Sequence, residues 1–216
     1  MNYEGVIFDL DGTLAYTLED IGDSVNRVLS QQGFSENNYA TYRRLIGSGL
    51  RNLIYQSLPE ENRNEPTIDA TYRMMVHDYN ENCLMKTTLY AGIREVLINL
   101  KQKGIKMAVY SNKDHDLTTK IVYQLMGKDL FYPVLGSRAD LPRKPDPAGV
   151  VEIMTAWNAD PAKTAFVGDS DTDMQTAKRA GIFAIGVTWG YRDRPELESG
   201  GADVILDTPD QILRYF

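Results

Sequence analysis

Hydrophobic residues follow two different patterns along this chain. The first pattern, between residues 17 and 82, has the spacing of amphipathic helices, as Leu18, Ile21 and Val25 illustrate. Gly33 is expected to end the first of these helices. Further helices are predicted near residues 37–46, 49–58 and 66–81, with no strand among them. This part of the chain is therefore predicted to be helical throughout.

The second pattern alternates helices with short apolar strands. Ile93, Val96 and Leu97 lie on one face of a predicted helix, and Gly104 is expected to end it. Strands are predicted at residues 6–8, 107–110, 134–136, 165–167, 183–187 and 204–206, with helices near 115–126, from 147 and near 172–180, and a short helix at the C-terminus. Short buried strands joined by helices require a parallel sheet with helices on both faces. The predicted fold class is α/β, a doubly wound, Rossmann-like parallel sheet with an inserted helical cap domain.

The helical segment interrupts the α/β pattern directly after its first strand. Residues 1–14 and 84–216 are predicted to form the α/β catalytic core, and residues 15–83 the helical cap domain. Ligands of open α/β sheets bind outside the carboxyl ends of the strands. A helical insertion at that point is well placed to act as a lid.

Composition narrows the function classes. Of the 216 residues, 43% are hydrophobic and 25% charged, and no run reaches the roughly 18 apolar residues of a membrane helix. The formal net charge of −7 argues against a nucleic-acid partner, because phosphate backbones bind clustered lysine and arginine. Cys83 is the only cysteine, so an internal disulfide is excluded, and the start of the chain has no signal-peptide pattern. We expect a cytoplasmic monomer or weak homodimer with no membrane partner.

Two carboxylates stand one residue apart where the first apolar strand stops. Asp9 and Asp11 precede Gly12, which allows the chain to turn sharply. In extended geometry both side chains project to the same side, an arrangement that suits a nucleophile beside an acid/base. Asp and Gly are also common in turns, so the pattern alone leaves a structural role open.

Polar residues also follow other predicted strands. Ser111 and Asn112 end the strand at 107–110, Lys144 precedes a helix, and Asp169 and Asp173 follow the strand at 165–167. If these ends converge, four carboxylates meet one lysine, and two like charges about 4 Å apart repel by roughly 4 kcal/mol at an effective dielectric near 20. Such a cluster takes up protons or binds a cation. Oxygen ligands without histidine or cysteine favour Mg²⁺.

The four segments, in this order, resemble the haloacid dehalogenase superfamily across nearly the whole chain. The resemblance rests on Asp9-Leu10-Asp11-Gly12-Thr13, Ser111-Asn112, Lys144 and Gly168-Asp169 with Asp173 four residues on. It implies that Asp9 is a nucleophile forming an aspartyl-phosphate. Asp11 would first protonate the leaving oxygen and then activate water. The presence of an acid at Asp11 fits phosphatases and phosphomutases rather than dehalogenases.

The resemblance also implies the binding residues. Asp9, the backbone carbonyl of Asp11, and Asp169 look like Mg²⁺ ligands, and Asp173 supports them or is a further ligand. Ser111 and Lys144 look like catalytic phosphoryl-binding residues, and Thr13 and Asn112 like phosphate contacts. Asp171, between the two matching acids, is expected to cap a helix.

The helical insertion, Ser111-Asn112-Lys113 and the run Gly186–Tyr191 resemble the phosphoglycolate phosphatase group. This implies a small phosphorylated substrate. Arg43 is the candidate substrate residue of the cap, from a segment in which Gly47 and Gly49 lie among arginines. Ordinary exposure of these arginines is the alternative. Trp189 is more typical of packing than of a lid contact.

Three functions remain open at this point. The first is a Mg²⁺-dependent phosphatase for a small phosphate monoester, and a pyrophosphatase would share its core chemistry. The second is a phosphomutase of the β-phosphoglucomutase kind, which returns the phosphoryl group to a sugar. The third is a catalytically silent binding protein that kept the fold.

Overall fold

The structure is a computed structural model that describes residues 3–216. The strands in this part of the chain are β1 Gly5–Phe8, β2 Ala15–Tyr16, β3 Thr88–Leu89, β4 Lys106–Asp114, β5 Val134–Ser137, β6 Thr164–Gly168, β7 Phe183–Val187 and β8 Val204–Leu206. Six of them form a sheet in the order β5-β4-β1-β6-β7-β8, and its strand pairs are parallel. The two short strands β2 and β3 pair with each other. The predicted α/β fold with a doubly wound parallel sheet is confirmed.

Helices connect the strands and form the inserted segment. They are α1 Leu18–Gln31, α2 Tyr39–Leu45, α3 Leu50–Ser57, α4 Glu65–Asn82, α5 Ile93–Gln102, α6 His115–Met126, α7 Ala148–Trp157, α8 Asp171–Ala180 and α9 Arg194–Gly200. Short 3-10 helices cover Glu60–Asn62, Pro161–Lys163 and Pro209–Arg214. No helix of the described residues combines the length and apolar character needed to span a bilayer.

The chain divides into two compact units. One contains the chain up to Tyr16 together with Leu89–Phe216, and the other is Thr17–Thr88. The domain prediction places its boundaries after residues 14 and 83. We refer to the two units as the α/β unit and the helical unit.

Strand β1 lies at the centre of the α/β unit because both of its edges are paired. Phe8 is in register with Val109 of β4 on one side and with Val167 of β6 on the other. All four residues of β1 are buried, as expected for a strand covered by helices on both faces. Ile7, Phe166 and other buried residues of the strands and of α7 and α8 form one hydrophobic cluster. This core fixes the position of every strand end along one edge of the sheet.

The helical unit has its own core and its own helix caps. Tyr42 and Tyr79 are fully buried within it. The side chain of Asn64 accepts a hydrogen bond from the backbone N–H of Thr67 and so caps α4. Among the described residues of this unit before residue 83 no strand is present, as predicted.

A buried carboxylate joins the two ends of the helical unit. Asp20 on α1 accepts hydrogen bonds from the backbone N–H of Lys86, at 2.9 and 3.0 Å, and from the N–H and hydroxyl of Thr87, each at 2.8 Å. These donors satisfy the charge of Asp20 without a metal, since a carboxylate is well solvated by several N–H and O–H groups.

Several elements differ from the sequence-based predictions, among them the short strands β2 and β3, which were not predicted. Strand β4 continues to Asp114, because the backbone stays extended after the apolar residues end. Helix α9 was not predicted, since only Leu197 and Gly200 of its seven residues are buried and no periodicity develops. The C-terminal helix is a 3-10 helix over Pro209–Arg214.

Candidate active site

The order of the strands brings the chemically reactive segments to one edge of the sheet. Asp9 follows β1, and its backbone N–H donates to Val167 O of the neighbouring β6 at 2.9 Å. Asp169 follows β6 immediately. Because β1 and β6 are parallel and adjacent, the two aspartates leave the sheet side by side. The same register argument brings the end of β4 alongside the turn after β1.

Three aspartates form a buried group that could hold a metal ion. Asp9, Asp169 and Asp173 each offer a carboxylate oxygen, and these oxygens lie within 4.8 Å of one another. The carboxylate of Asp11 lies outside this group. Asp173 is fully buried, and Asp9 and Asp169 are nearly so.

A buried lysine balances part of this charge. Lys144 Nζ lies 2.8 Å from Asp9 Oδ1 and 2.7 Å from Asp173 Oδ1. Only the contact with Asp173 has hydrogen-bond geometry. The buried Asp9 Oδ1 therefore has no hydrogen-bond partner within residues 3–216. The Lys144 side chain is only 3% exposed, so this lysine is a buried part of the site.

The position of Lys144 is set by Asn112. The Asn112 side chain donates from Nδ2 to Lys144 O at 3.1 Å and accepts at Oδ1 from Lys144 N at 2.8 Å. This paired contact ties the loop that carries Lys144 to the end of β4. The sequence predicts Asn112 as a phosphate contact, and in the structure its side chain also holds the backbone of Lys144.

The loop after β7 packs around Asp169. Tyr191 N donates to Asp169 Oδ2 at 2.6 Å, and Thr13 Oγ1 donates to Asp169 Oδ1 over a longer 3.4 Å. A Cβ on Gly12, whose φ is +86°, would lie 2.1 Å from Asp169 Oδ2, and one on Gly190 would lie 2.3 Å from Asp169 Cβ. Both glycines are required for this close approach. Thr13, predicted as a phosphate contact, contacts Asp169 here.

Burial and crowding change the proton affinity of the triad. Burial, reinforced by the charges of Asp173 and Asp11 and opposed by Lys144, raises the pKa of Asp9 to about 7. Burial and the charges of Asp173 and Asp9 raise the pKa of Asp169 well above its usual range. Burial lowers the pKa of Lys144, but Asp173 and Asp9 outweigh this and raise it overall. Without a further cation the site therefore retains protons on its carboxylates.

Lys113 is a site residue to which sequence reasoning assigns no role. Its Nζ contacts both carboxylate oxygens of Asp11, at 2.6 and 2.9 Å, and its side chain is 1% exposed. The apolar pattern of β4 stops at Tyr110, so nothing in the sequence signals that a lysine three residues later is buried. Only the pairing of β4 with β1 in the folded chain brings Lys113 next to Asp11.

Ser111 is buried at the end of β4, and its Oγ accepts from the backbone N–H of Lys113 at 3.3 Å. Asp173 Oδ2 accepts from the backbone N–H and the hydroxyl of Ser170. Ser170 in turn caps α8, so the prediction that Asp171 is the cap is wrong. Asp171 is the first residue of the helix, where its charge favours the positive end of the helix dipole.

Arg43 and Trp189, which the sequence analysis considers as substrate or lid contacts, differ in their exposure. Arg43 is exposed near the end of α2 in the helical unit. In the same unit, Arg51 forms ion pairs with Glu65 and Asp69, so its charge is already balanced there. Trp189 is half-buried, and its Nε1 donates to Thr13 O at 3.0 Å, which fits the packing role.

The geometry of the triad fits the expected Mg²⁺. Mg²⁺ holds oxygen ligands at 2.0–2.1 Å, so oxygens sharing one ion lie at most roughly 4.2 Å apart. The carboxylate oxygens of Asp9, Asp169 and Asp173 lie within 4.8 Å of one another, which is close to that spacing. Lys144 supplies one positive charge to the three carboxylates, and the raised pKa values of Asp9 and Asp169 indicate that the group can accept a further cation.

A family model described as haloacid dehalogenase-like hydrolase matches residues 6–187, which include all four segments of the site. The chain belongs to the haloacid dehalogenase-like hydrolases. This confirms the resemblance found in the motifs and the prediction that the chain is an enzyme.

Several relatives of this hydrolase are named phosphoglycolate phosphatase. A phosphoglycolate phosphatase of Aquifex aeolicus is 32% identical over 209 residues, covering 97% of this chain and 94% of the relative. One of Agrobacterium fabrum is 32% identical over 203 residues, covering 93% and 87%. These relationships support a phosphatase of the haloacid dehalogenase type.

Solved structures agree with the fold of this hydrolase. A crystal structure from Haemophilus somnus, titled as a predicted phosphoglycolate phosphatase, is 27% identical with a TM-score of 0.90 and covers 99% of this chain and 98% of that one. A candidate phosphoglycolate phosphatase from Lactobacillus delbrueckii subsp. bulgaricus is 28% identical with a TM-score of 0.91, covering 98% and 97%.

Proposed function

We propose that this hydrolase is a Mg²⁺-dependent phosphatase that releases inorganic phosphate from a small phosphate monoester of the phosphoglycolate type. The observation that carries the proposal is the buried triad of Asp9, Asp169 and Asp173, with Asp9 Oδ1 lacking a hydrogen-bond partner among the described residues. Lys144 Nζ lies 2.8 Å from that oxygen, but this one ammonium faces a group of three buried carboxylates, and the charge that remains makes Asp9 available both to a cation and to phosphorus.

Asp9, Asp169 and the backbone carbonyl of Asp11 would hold the ion, with Asp173 supporting them through Lys144 and Ser170. When bound, Mg²⁺ supplies positive charge that draws a phosphate towards Asp9 and polarises its oxygens. The fixed donors Tyr191 N and Thr13 Oγ1 orient Asp169 for this role.

Catalysis in this proposal proceeds in two displacements. Asp9 attacks phosphorus with a carboxylate oxygen while the bond to the leaving oxygen breaks, and Asp11 gives that oxygen a proton. A water molecule then loses a proton to Asp11 as its oxygen attacks the phosphorus, and the bond to Asp9 breaks to release inorganic phosphate. Covalent catalysis of this kind divides one difficult displacement into two easier ones.

Ser111 and Lys144 would stabilise the charge on the transferring group. The Lys144 backbone is held by Asn112 and its buried ammonium lies against Asp9 and Asp173, so the ammonium needs little reorganisation during the reaction. Ser111 lies at the same strand end and has a hydroxyl that can donate to a phosphoryl oxygen.

Choice of substrate is assigned to the helical unit, which we propose acts as a cap domain, with Arg43 as the candidate contact to an anionic leaving group. The relatives named phosphoglycolate phosphatase support a small phosphorylated acid as substrate. The α/β unit carries residues suited only to the phosphoryl group, so selectivity must come from elsewhere in the chain.

The decisive experiment is a phosphate-release screen with and without Mg²⁺. Phosphoglycolate, pyrophosphate, sugar phosphates and nucleotides are offered to the purified protein and to its Asp9→Asn variant. Metal-dependent release that is fastest with phosphoglycolate and absent from the variant is expected. Isomerisation of a sugar phosphate with little free phosphate would instead establish a phosphomutase, and release unaffected by Asp9→Asn would refute the assignment.

A further inference from the structure

The ion pair between Lys113 and Asp11 has no role in the mechanism described so far. Lys113 Nζ contacts both oxygens of the Asp11 carboxylate, at 2.6 and 2.9 Å. The Lys113 side chain is 1% exposed and that of Asp11 11% exposed. A lysine buried to this degree is rare unless a partner compensates its charge.

The two lysines of the site serve different carboxylates. Lys144 contacts Asp9 and Asp173, whereas the contacts of Lys113 with a carboxylate are to Asp11. The nucleophile and the acid/base therefore each have their own cation. This division separates the side chain that must attack phosphorus from the one that must transfer a proton.

We propose that Lys113 is a positioning residue for Asp11, and that it holds the Asp11 carboxylate in the orientation from which it takes a proton from the attacking water. The proposal rests on the proposed function, since it concerns the proton transfer assigned to Asp11. The two-oxygen contact restricts rotation of the Asp11 side chain, and Lys113 itself is fixed because it lies on strand β4.

A positioning role makes a specific kinetic prediction. A positioned acid/base contributes roughly 10²–10⁴-fold to a rate, so loss of its orientation lowers kcat by part of that factor, about 10- to 100-fold. Binding of the phosphoryl group depends on other residues, so KM changes little. We expect this effect to pass through Asp11.

The test is a double-mutant cycle with Lys113→Met and Asp11→Asn, measured as kcat and KM for phosphate release from the substrate that the screen identifies. Methionine keeps the length of the side chain without its charge. Lys113→Met is expected to lower kcat in the wild-type background and to cause less than about a twofold further loss in the Asp11→Asn background, because residues that act as a unit are non-additive.

The exposed Lys101→Met is the matched control, and it should leave kcat unchanged. Thermal unfolding with and without Mg²⁺ shows whether each variant is folded and still binds the ion. If Lys113→Met lowers activity equally in both backgrounds, or acts mainly on KM, Lys113 contacts phosphate or only stabilises the fold, and the proposal is wrong.

The Asp11→Asn and Lys113→Met variants test the proposed mechanism and the positioning role separately. Full activity of Asp11→Asn would remove the proposed acid/base and with it the proposed mechanism. Reduced activity of Asp11→Asn together with an unchanged kcat in Lys113→Met would overturn only the positioning role.

Discussion

Each unit of the chain buries a carboxylate, and the two are treated in opposite ways. In the helical unit, Asp20 accepts hydrogen bonds from two backbone N–H groups and a hydroxyl. In the α/β unit, Asp9 is also buried, yet its Oδ1 has an ion pair with Lys144 and no hydrogen bond among the described residues, and further carboxylates lie beside it. Burial of an acid is thus no sign of chemistry by itself. The absence of sufficient donors is the informative feature, because folding alone favours satisfied carboxylates.

The largest expected effect is on activity, which should depend strongly on Asp9 and little on Asp20. Asp9→Asn should lower phosphate release at least about 10³-fold, because an amide cannot act as the nucleophile. Asp20→Asn should leave the activity of the folded protein within the same order of magnitude. Steady-state assays at saturating Mg²⁺ measure both. Comparable losses in the two variants would remove the contrast between a catalytic and a structural acid.

The second expected effect is on stability, and here Asp20 should matter more than Asp9. Asp20→Ala should lower the free energy of unfolding by about 2–3 kcal/mol, because it leaves the N–H groups of Lys86 and Thr87 without their charged acceptor. Asp9→Asn should not destabilise the metal-free protein, since it removes a poorly satisfied charge. Denaturant unfolding followed by circular dichroism provides the comparison, and a destabilised Asp9→Asn would contradict it.

A smaller effect is expected at Asn112. Asn112→Ala removes the paired contact with Lys144, so kcat should fall about tenfold through imprecise placement of the ammonium. Asn99→Ala, the same change on the exposed face of α5, serves as the control and should have no effect. An unchanged kcat in Asn112→Ala would show that Lys144 needs no such support.

The smallest effect concerns pH. The pKa of Asp9 is raised from 3.8 to about 7 in the folded metal-free protein, so the native state binds the extra proton between these values. Its contribution to stability is therefore complete below about pH 4 and is lost as the pH rises through 7. The Tm of the metal-free protein should therefore fall over this range.

Two additions sharpen the pH experiment. Mg²⁺ binds the deprotonated carboxylates, so its stabilisation should increase with pH and offset the fall. The Asp9→Asn variant should show a flatter Tm profile without metal. Differential scanning fluorimetry at pH 4–8 measures each profile, and a wild-type Tm that rises with pH in the absence of metal would contradict the assigned direction.

Much of the α/β unit could be predicted because its signals are local. Helix α6 and strands β7 and β8 have the predicted bounds, since apolar runs and glycine stops define them within a few residues. Helix α9 was missed because only two of its seven residues are buried, although the cap residue Asp193 and the following Gly201 mark its ends. The polar half of β4 has no apolar pattern that would predict it.

The candidate site likewise contains residues that the sequence predicts and contacts that it does not. Asp9, Asp11, Asp169 and Asp173 are predicted from acidic residues that follow apolar runs, and Lys144 from the resemblance of its segment to the superfamily, so neither signal needs tertiary structure. The residues that contact these side chains could not be predicted in this way. Lys113 is 102 positions from Asp11, and Asn112 is 32 from Lys144, so no local pattern records either pairing.

The sequence by itself therefore determined the fold class and the reactive groups, because both depend on side-chain chemistry and on periodicities of two to four residues. Only the tertiary structure decided which cation faces which carboxylate, which glycines admit Asp169, and which buried acid remains unsatisfied. These outcomes depend on the parallel register of β1 with β4 and β6, which brings residues far apart in the chain within hydrogen-bonding distance.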